Sequence, residues 1–308
     1  MFFVVLLYAL FASVFTIAKT GLSVAQPLFL VGTRMMLAGV VLLAYQFFIK
    51  KESFKFERST WIKLILLAVF NIYLTNIFEF WGLQYLTSFK TCFIYSLAPF
   101  LSALFSYVIF SEQLSKKKWL GFLIGLVGFF PILYQHSSIE EKTGQLFFFS
   151  WAELSVMVAV VCSVYGWILL KQLVNEHQLS PTMANGITMF TGGFLALSHS
   201  FFTENWNPLP VTNYSIFIEC TLALLIISNL ICYNLYGYLL KRYSATFISF
   251  AGFITPLFSA FFGWMYLGEI ITWPFYVSFI IVFIGLIIFD QEELKLSYLS
   301  KDLQLKTD

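Results

Sequence analysis

Polar side chains recur on one helical face of an otherwise apolar stretch near residue 75. Asn71, Thr75 and Glu79 are spaced four residues apart, which places them on one side of a helix, and Tyr73 and Asn76 lie beside them. At bilayer depth a charged side chain costs at least about 2.5 kcal/mol on insertion scales, so such a group usually has a function. Glu79 is therefore a candidate counter-ion for a cationic or zwitterionic substrate, or a carrier of a coupling proton. The alternatives are a structural hydrogen bond to a neighbouring helix and solvation near the membrane surface.

The sequence holds no pattern suited to catalysis. It lacks HExxH, GxSxG and GxxxxGK[ST] motifs, and its three histidines are far apart. The four cysteines lie inside apolar stretches without CxxC or CxxxH spacing, which argues against a disulfide framework or a zinc site. We expect a protein that is not an enzyme, with no catalytic residue, no metal and no cofactor, and that does not use ATP directly.

The composition indicates that membrane helices carry the polar residues. Of the 308 residues, 59% are hydrophobic and 11% are charged, against about 45–50% and about 25% in a soluble domain. The mean hydropathy is +0.83, and apolar stretches of about 20 residues, long enough to cross a hydrocarbon core, recur along the chain. The net charge of +2 is spread over short loops, so we expect a lipid bilayer and no nucleic acid as partner.

We predict an all-α polytopic membrane protein with ten transmembrane helices. The predicted spans are Phe2–Gly21, Pro27–Ile49, Trp61–Leu83, Phe89–Ser111, Trp119–Gln135, Phe149–Lys171, Thr182–Phe202, Tyr214–Leu239, Ala245–Leu267 and Trp273–Phe289. Lysine and arginine concentrate in the loops after even-numbered spans, for example at Lys50–Lys51, Lys116–Lys118 and Lys241–Arg242. By the positive-inside rule both termini lie in the cytoplasm.

An internal duplication relates the two halves of the chain. Ser96–Gln113 and Phe253–Ile270 match at a constant offset of 157 residues, which pairs Pro99 with Pro256. Each half holds five spans, and because five is odd the second copy enters the membrane from the other side, which makes inverted repeats. The predicted parts are residues 1–135 and 149–290 as repeats, 136–148 as linker and 291–308 as cytoplasmic tail. Both prolines interrupt a span, so each is a candidate hinge as well as a candidate packing kink.

Charged residues near the ends of the spans are expected to be structural. Lys90 begins the fourth span, where a lysine typically extends its ammonium group to the interface. Glu153 and Glu219 lie close to the starts of their spans, which favours solvation of both carboxylates.

Two further pairs have roles that the spacing leaves open. Lys19 and Arg34 are candidates for binding a substrate carboxylate, but pairing with carbonyl or acidic groups at a helix interface is the favoured interpretation. Glu112 and Glu269 end their spans beside loops, where we expect them to cap and brace the next helix.

Four segments together resemble the EamA-type ten-helix transporters of the drug/metabolite transporter superfamily. Leu10–Lys19 is similar to the opening motif of that family, and Arg34 occupies the place of its second-helix arginine. Phe110–Gly128 is similar to the signature joining the fourth and fifth helices, and Met265–Ile270 repeats that signature. The resemblance covers nearly the whole chain and implies a secondary transporter of the bacterial inner membrane, in which two halves rock about a central site.

The resemblance also implies where the substrate binds. The central cavity of the family is lined by the first, third, fourth, sixth, eighth and ninth spans. The expected substrate-binding residues on these spans are Tyr73, Asn76, Glu79, Tyr95, Trp167, Asn229, Tyr233 and Tyr236. The aromatic rings, together with Phe93 and Tyr165, are candidates for a stacking platform or a cage around a cation.

The substrate class follows from the same resemblance. Similar members of the family include amino-acid exporters and the S-adenosylmethionine carriers of intracellular bacteria. An aromatic cavity with one deep carboxylate suits the purine, sulfonium and ammonium groups of S-adenosylmethionine, which is the expected substrate. S-adenosylhomocysteine is the candidate molecule carried in exchange. The alternatives are an amino-acid or drug exporter and, in another class, a non-transporting receptor or assembly factor. The coupling ion and the oligomeric state stay open.

Overall fold

The computed structural model describes residues 2–51, 56–110, 115–241, 243, 248 and 250–304. Its helices are α1 (Phe2–Leu22), α2 (Pro27–Lys50), α3 (Arg58–Tyr85), α4 (Ser88–Ile94), α5 (Ala98–Phe110), α6 (Lys116–Tyr134), α7 (Ser138–Glu141), α8 (Trp151–Asn175), α9 (Pro181–Thr203), α10 (Tyr214–Leu239), α11 (Thr255–Leu267) and α12 (Trp273–Gln304). The strands β1 (Gln145–Leu146) and β2 (Phe149–Ser150) form an antiparallel hairpin between α7 and α8.

The helices have the length and surface of a membrane protein. Among the described residues, seven helical segments are long and apolar enough to cross a bilayer, and Gly252–Leu267 and Trp273–Phe289 are shorter apolar helices. Large apolar side chains such as Phe47, Phe201 and Trp264 are exposed on the outside of the bundle, where lipid rather than water suits them. The chain is therefore a multi-pass helical membrane protein.

The described helices overlap the predicted spans and differ from them at several places. The fourth span is interrupted by a 3₁₀ turn at Tyr95–Leu97, and its predicted end, Ser111, lies outside the described residues. The helix of the sixth span begins at Trp151, because Phe149–Ser150 form β2. The predicted ninth span starts at Ala245, which lies outside the described residues. Helix α12 continues beyond Phe289 to Gln304, so the backbone of the predicted tail is helical as far as it is described.

Irregular turns occur at matching places in the two halves of the chain. Turns of π-helix span Ala68–Leu74 in α3 and Leu225–Cys232 in α10, and their first residues are 157 positions apart. A 3₁₀ turn at Tyr95–Leu97 precedes α5, and another at Gly252–Ile254 precedes α11, again at the offset of 157. These four breaks in helical geometry follow the same spacing as the sequence matches, whereas the π turn at Tyr45–Lys50, which ends α2, has no counterpart within α9.

The two matched prolines lie directly after the 3₁₀ turns. Pro99 is the second residue of α5, and Pro256 is the second residue of α11. Proline lacks a backbone N–H, and the first turn of a helix is where that group has no partner within the helix. Each proline therefore starts a new helical segment, as the expected interruption of both spans requires, and their role as hinges stays a prediction.

Helices α2 and α9 approach each other through reciprocal glycine contacts. A Cβ atom on Gly39 would lie 2.3 Å from the backbone nitrogen of Phe190, and a Cβ atom on Gly193 would lie 2.4 Å from that of Met36. Any side chain at either glycine would collide with backbone, so both positions require glycine. The contact has the same form in both directions.

A buried ionic cluster ties the linker to the bundle and corrects two expectations. Lys90 Nζ lies 2.9 and 3.0 Å from the two oxygens of Glu140 and 2.8 Å from Glu153 Oε1. Lys90 does not extend to the interface, and Glu153 is not solvated, since their side chains are 6% and 0% exposed. The linker folds back over the start of α8 and places Glu140 beside Lys90. Because each charge is paired, the free-energy cost of burying it is offset. Glu219 is exposed, as predicted.

Glu269 braces a helix other than the one expected. Its carboxylate accepts hydrogen bonds from the backbone nitrogen (2.7 Å) and the hydroxyl (2.6 Å) of Ser88, at the start of α4, and it pairs with Lys19 Nζ at 3.3 Å. The negative charge stabilises the N-terminus of α4, which comes from the other half of the chain and is not the next helix. The predicted pairing of Lys19 with an acidic group at a helix interface is confirmed. Glu112, which was expected to brace the next helix, lies outside the described residues.

Candidate functional site

A cavity of about 1100 Å³, including its open mouth, lies at the centre of the helical bundle. Helices α1, α2, α3, α8 and α10 contribute to its wall, together with the segments around both 3₁₀ turns. Its polar and aromatic lining residues include Tyr8, Phe11, Phe15, Arg34, Thr75, Asn76, Glu79, Tyr95, Ser96, Ser163, Trp167, Ser228, Tyr233 and Tyr236. Six of the eight predicted binding residues are therefore brought together in one place.

Glu79 is the acidic group of the cavity. It is 9% exposed, and its Oε2 accepts a hydrogen bond from the hydroxyl of Tyr95. The Tyr95 ring is itself held edge-on against Phe15, with 5.7 Å between ring centroids. Within the described part of the chain, no lysine or arginine nitrogen lies within 4.0 Å of the Glu79 carboxylate. The carboxylate is oriented by a neutral partner and left available to a cation.

Arg34 supplies a positive charge to the same cavity, from α2. The residue is 2% exposed, its Nη2 donates to Asn76 Oδ1, and its guanidinium carbon lies 4.6 Å from the centroid of the Phe80 ring. Asn76 is fixed in turn because its Nδ2 donates to the carbonyl of Ile72 at 2.8 Å. The contacts at the helix interface that we expected for Arg34 exist, but the residue also faces the cavity.

An aromatic wall stands on the side formed by α1, α8 and α10. Trp167 stacks on Tyr236 with 4.0 Å between ring centroids and an interplanar angle of 29°, and it lies 5.3 Å from the Tyr233 ring. Phe11 closes the wall edge-on, at 6.3 Å from Tyr233 and 6.4 Å from Tyr236. Such a surface stacks on planar rings and attracts cations through its π faces.

Two predicted binding residues lie outside the cavity. The hydroxyl of Tyr73 lies 3.0 Å from Nδ1 of His199 on α9, and Asn229 is fully buried with its Nδ2 2.8 Å from the sulfur of Met35. Both positions fall within π-helical turns. A π turn contains an extra residue, so faces assigned from a regular period of 3.6 residues shift by about 100°.

The same displacement affects Asn71, and two aromatic candidates are packed elsewhere. Asn71 is 1% exposed and packs against Gly166 of α8. The contact is so close that a Cβ atom added to Gly166 would lie 2.3 Å from the Cβ atom of Asn71. Phe93 belongs to the core around Phe129, with ring centroids 5.0 Å apart. Tyr165 packs edge-on against Phe70 and lies outside the cavity lining.

The main cavity residue that sequence reasoning undervalued is Arg34. The signal was present, because it is a lone arginine inside an apolar stretch, but the pattern cannot separate a structural pair from a binding group. The cavity is also lined by three aromatic residues of α1, namely Tyr8, Phe11 and Phe15. The sequence could not single them out, because aromatic residues are common throughout a chain with 38 phenylalanines.

Comparison with known proteins places this architecture among transporters. The sequence profile of the EamA-like transporter family matches residues 1–134 and 150–289. The chain is 44% identical to the S-adenosylmethionine/S-adenosylhomocysteine transporter of Chlamydia muridarum (strain MoPn / Nigg), over 84% of this chain and 81% of that protein. It is 43% identical to the transporter of the same name from Chlamydia trachomatis serovar L2, over 84% and 79%. A crystal structure with 17% sequence identity superposes with a TM-score of 0.67 over 96% of each chain, which shows a shared fold.

Proposed function

The chain belongs to the EamA-like transporter family, and from that premise we propose that it carries S-adenosylmethionine across a bacterial inner membrane in exchange for S-adenosylhomocysteine. The observation that carries the proposal is the central cavity, in which a stacked aromatic wall stands beside a deep carboxylate. The names and the 43–44% identity of the chlamydial relatives support the same substrate.

The chemistry of the cavity suits each part of that substrate. Trp167 and Tyr236 provide a face for the adenine ring and for the sulfonium charge. Glu79, with no lysine or arginine nitrogen within 4.0 Å among the described residues, complements a positively charged group.

Alternating access is the proposed mechanism. The recurrence of π and 3₁₀ turns at an offset of 157 residues supports two five-helix inverted repeats, and such repeats allow one central site to open to either side in turn. The proposed parts are repeats at 1–135 and 149–290, a linker at 136–148 and a tail at 291–308. Pro99 and Pro256 would act as hinges, because each restarts a helix beside the cavity segments. The distribution of lysine and arginine supports cytoplasmic termini.

Counterflow in proteoliposomes tests the proposal. Labelled S-adenosylmethionine is supplied outside and unlabelled S-adenosylhomocysteine inside, for the wild type, Glu79→Gln and Glu219→Gln. Glu219 is the matched control, since its carboxylate is exposed and pairs only with the hydroxyl of Ser215 among the contacts described. We expect saturable uptake that is stimulated by internal S-adenosylhomocysteine, lost in Glu79→Gln and retained in Glu219→Gln. If folded wild-type protein shows no uptake above that of empty liposomes, S-adenosylmethionine is excluded as the substrate.

A second candidate is the export of a free amino acid. It is favoured by one observation, the presence of both a buried cation, Arg34, and a buried anion, Glu79, in the cavity, because a zwitterion needs both. Inhibition of the same uptake by methionine at concentrations as low as those of S-adenosylmethionine would favour it. Weak inhibition by methionine would favour the adenosyl compound, whose ring the aromatic wall receives.

A further inference from the structure

Arg34 has more hydrogen-bonding capacity than its surroundings use. Its Nη2 donates to Asn76, but Nε and Nη1 have no hydrogen-bond partner among the described residues. No carboxylate oxygen lies within 4.0 Å of its guanidinium nitrogens in the part of the chain that the structure describes. Arginine stays charged in proteins and carries N–H donors on all three of its nitrogens. A residue that is 2% exposed therefore holds a positive charge with most of its donors unmatched.

The neutral neighbours of Arg34 position it without neutralising it. Asn76 offers one carbonyl oxygen and Phe80 offers the face of its ring at 4.6 Å, and neither carries a charge. A buried charge without a directly paired counter-ion is costly, and an anion with two acceptor oxygens that binds the guanidinium offsets that cost. Arg34 is one of the residues that line the central cavity, so the cavity is the side from which such an anion would approach the guanidinium.

The position of Glu79 limits which anion fits. Glu79 and Arg34 line the same cavity and interact electrostatically, yet they do not form an ion pair within 4.0 Å. Glu79 is instead held by Tyr95, and Arg34 by Asn76. A small inorganic anion would match only Arg34 and would be repelled by Glu79. A molecule that carries a carboxylate and an ammonium group on one carbon matches both.

We infer that Arg34 binds the α-carboxylate of the transported molecule while Glu79 binds its α-ammonium group, so that the site selects amino acids and adenosyl amino acids over the corresponding amines. The inference rests on the proposed function, because it uses S-adenosylmethionine as the carried molecule. In that case the amino-acid end lies between α2 and α3, and the adenine ring lies at the wall formed by Trp167 and Tyr236. Decarboxylated S-adenosylmethionine, which keeps the ring, the sulfonium and the ammonium group, is then a poor ligand.

Competition between the two compounds tests the inference. Uptake of labelled S-adenosylmethionine is measured against unlabelled S-adenosylmethionine or its decarboxylated form, for the wild type and Arg34→Gln. We expect the decarboxylated compound to inhibit the wild type at least about tenfold more weakly, as loss of a charge-assisted hydrogen-bonded contact implies. In Arg34→Gln the two compounds should inhibit within about threefold of each other, because only the carboxylate has lost its partner.

A second variant keeps the test decisive if Arg34→Gln does not fold. Asn76→Asp preserves the shape of the side chain but gives Arg34 an internal carboxylate beside Nη2. Affinity for S-adenosylmethionine should then fall by about tenfold, with little change for the decarboxylated compound. Thermal unfolding in detergent, with and without each compound, measures folding and binding apart from transport.

The outcomes separate the two proposals. Wild-type uptake with equal inhibition by both compounds, or selectivity that survives in Arg34→Gln, overturns the carboxylate site and leaves the proposed function in place. Folded wild type with neither uptake nor ligand stabilisation by S-adenosylmethionine overturns the proposed function and this inference with it.

Discussion

Replacement of Lys90 by glutamine should cost more stability than replacement of any exposed lysine. In the structure the Lys90 ammonium lies 2.8–3.0 Å from the carboxylates of Glu140 and Glu153, which are 2% and 0% exposed. Without it, the two buried carboxylates have no lysine or arginine nitrogen within 4.0 Å among the described residues, and their remaining basic neighbour is the imidazole of His136, whose Nε2 lies 3.4 Å from Glu153 Oε2. Breaking a buried pair by removing one partner costs about 3–5 kcal/mol, and we expect a loss in that range for Lys90→Gln.

The matched control is Lys63→Gln. Lys63 pairs with Glu176 at a similar distance, 3.3 Å, but the two side chains are 26% and 59% exposed. Exposed pairs contribute about 0–1 kcal/mol, since water and salt screen them. The free energies of unfolding are compared by titration with denaturing detergent in mixed micelles. The triple variant Lys90→Gln, Glu140→Gln, Glu153→Gln should recover most of the loss, because it removes the unpaired charges.

The outcome that would refute the reasoning is a loss below about 1 kcal/mol for Lys90→Gln, equal to that of the exposed control. Failure of the triple variant to regain stability would also refute it. In that case the cost would come from lost hydrogen bonds and packing rather than from the uncompensated charges.

Three further changes probe the helix contact, the aromatic wall and the brace of α4. Gly39→Val should prevent α2 from packing on α9, since a Cβ atom there would lie 2.3 Å from backbone, and the yield of monodisperse protein measures it. Trp167→Ala should raise the KM for S-adenosylmethionine about tenfold, with Trp167→Phe near wild type, because a stacked ring is lost. Glu269→Gln should destabilise the fold by about 1–2 kcal/mol in the same detergent titration, through the weakened cap on Ser88, and an unchanged midpoint would contradict that role.

The sequence by itself determined the class of the protein and much of its organisation. Apolar length is a local property, so a multi-pass helical membrane protein could be predicted from composition without knowledge of packing. The duplication was also visible, because an offset of 157 residues joins identical residue types such as Pro99 and Pro256. The polar residues Asn76 and Glu79, which reach the cavity, stood out against an apolar background.

Only the tertiary structure decided which of the marked side chains meet. The π turns rotate Tyr73 and Asn229 away from the cavity, and nothing in a regular helical period signals such a turn. Arg34 faces both a helix interface and the cavity, and its partners come from another helix. Lys90 and Glu153 are buried because the linker folds over them. The local backbone sets the side of the helix on which a residue lies. Its contact partners come from helices that are distant in sequence, and a pattern within one helix holds no information about which helices pack against it.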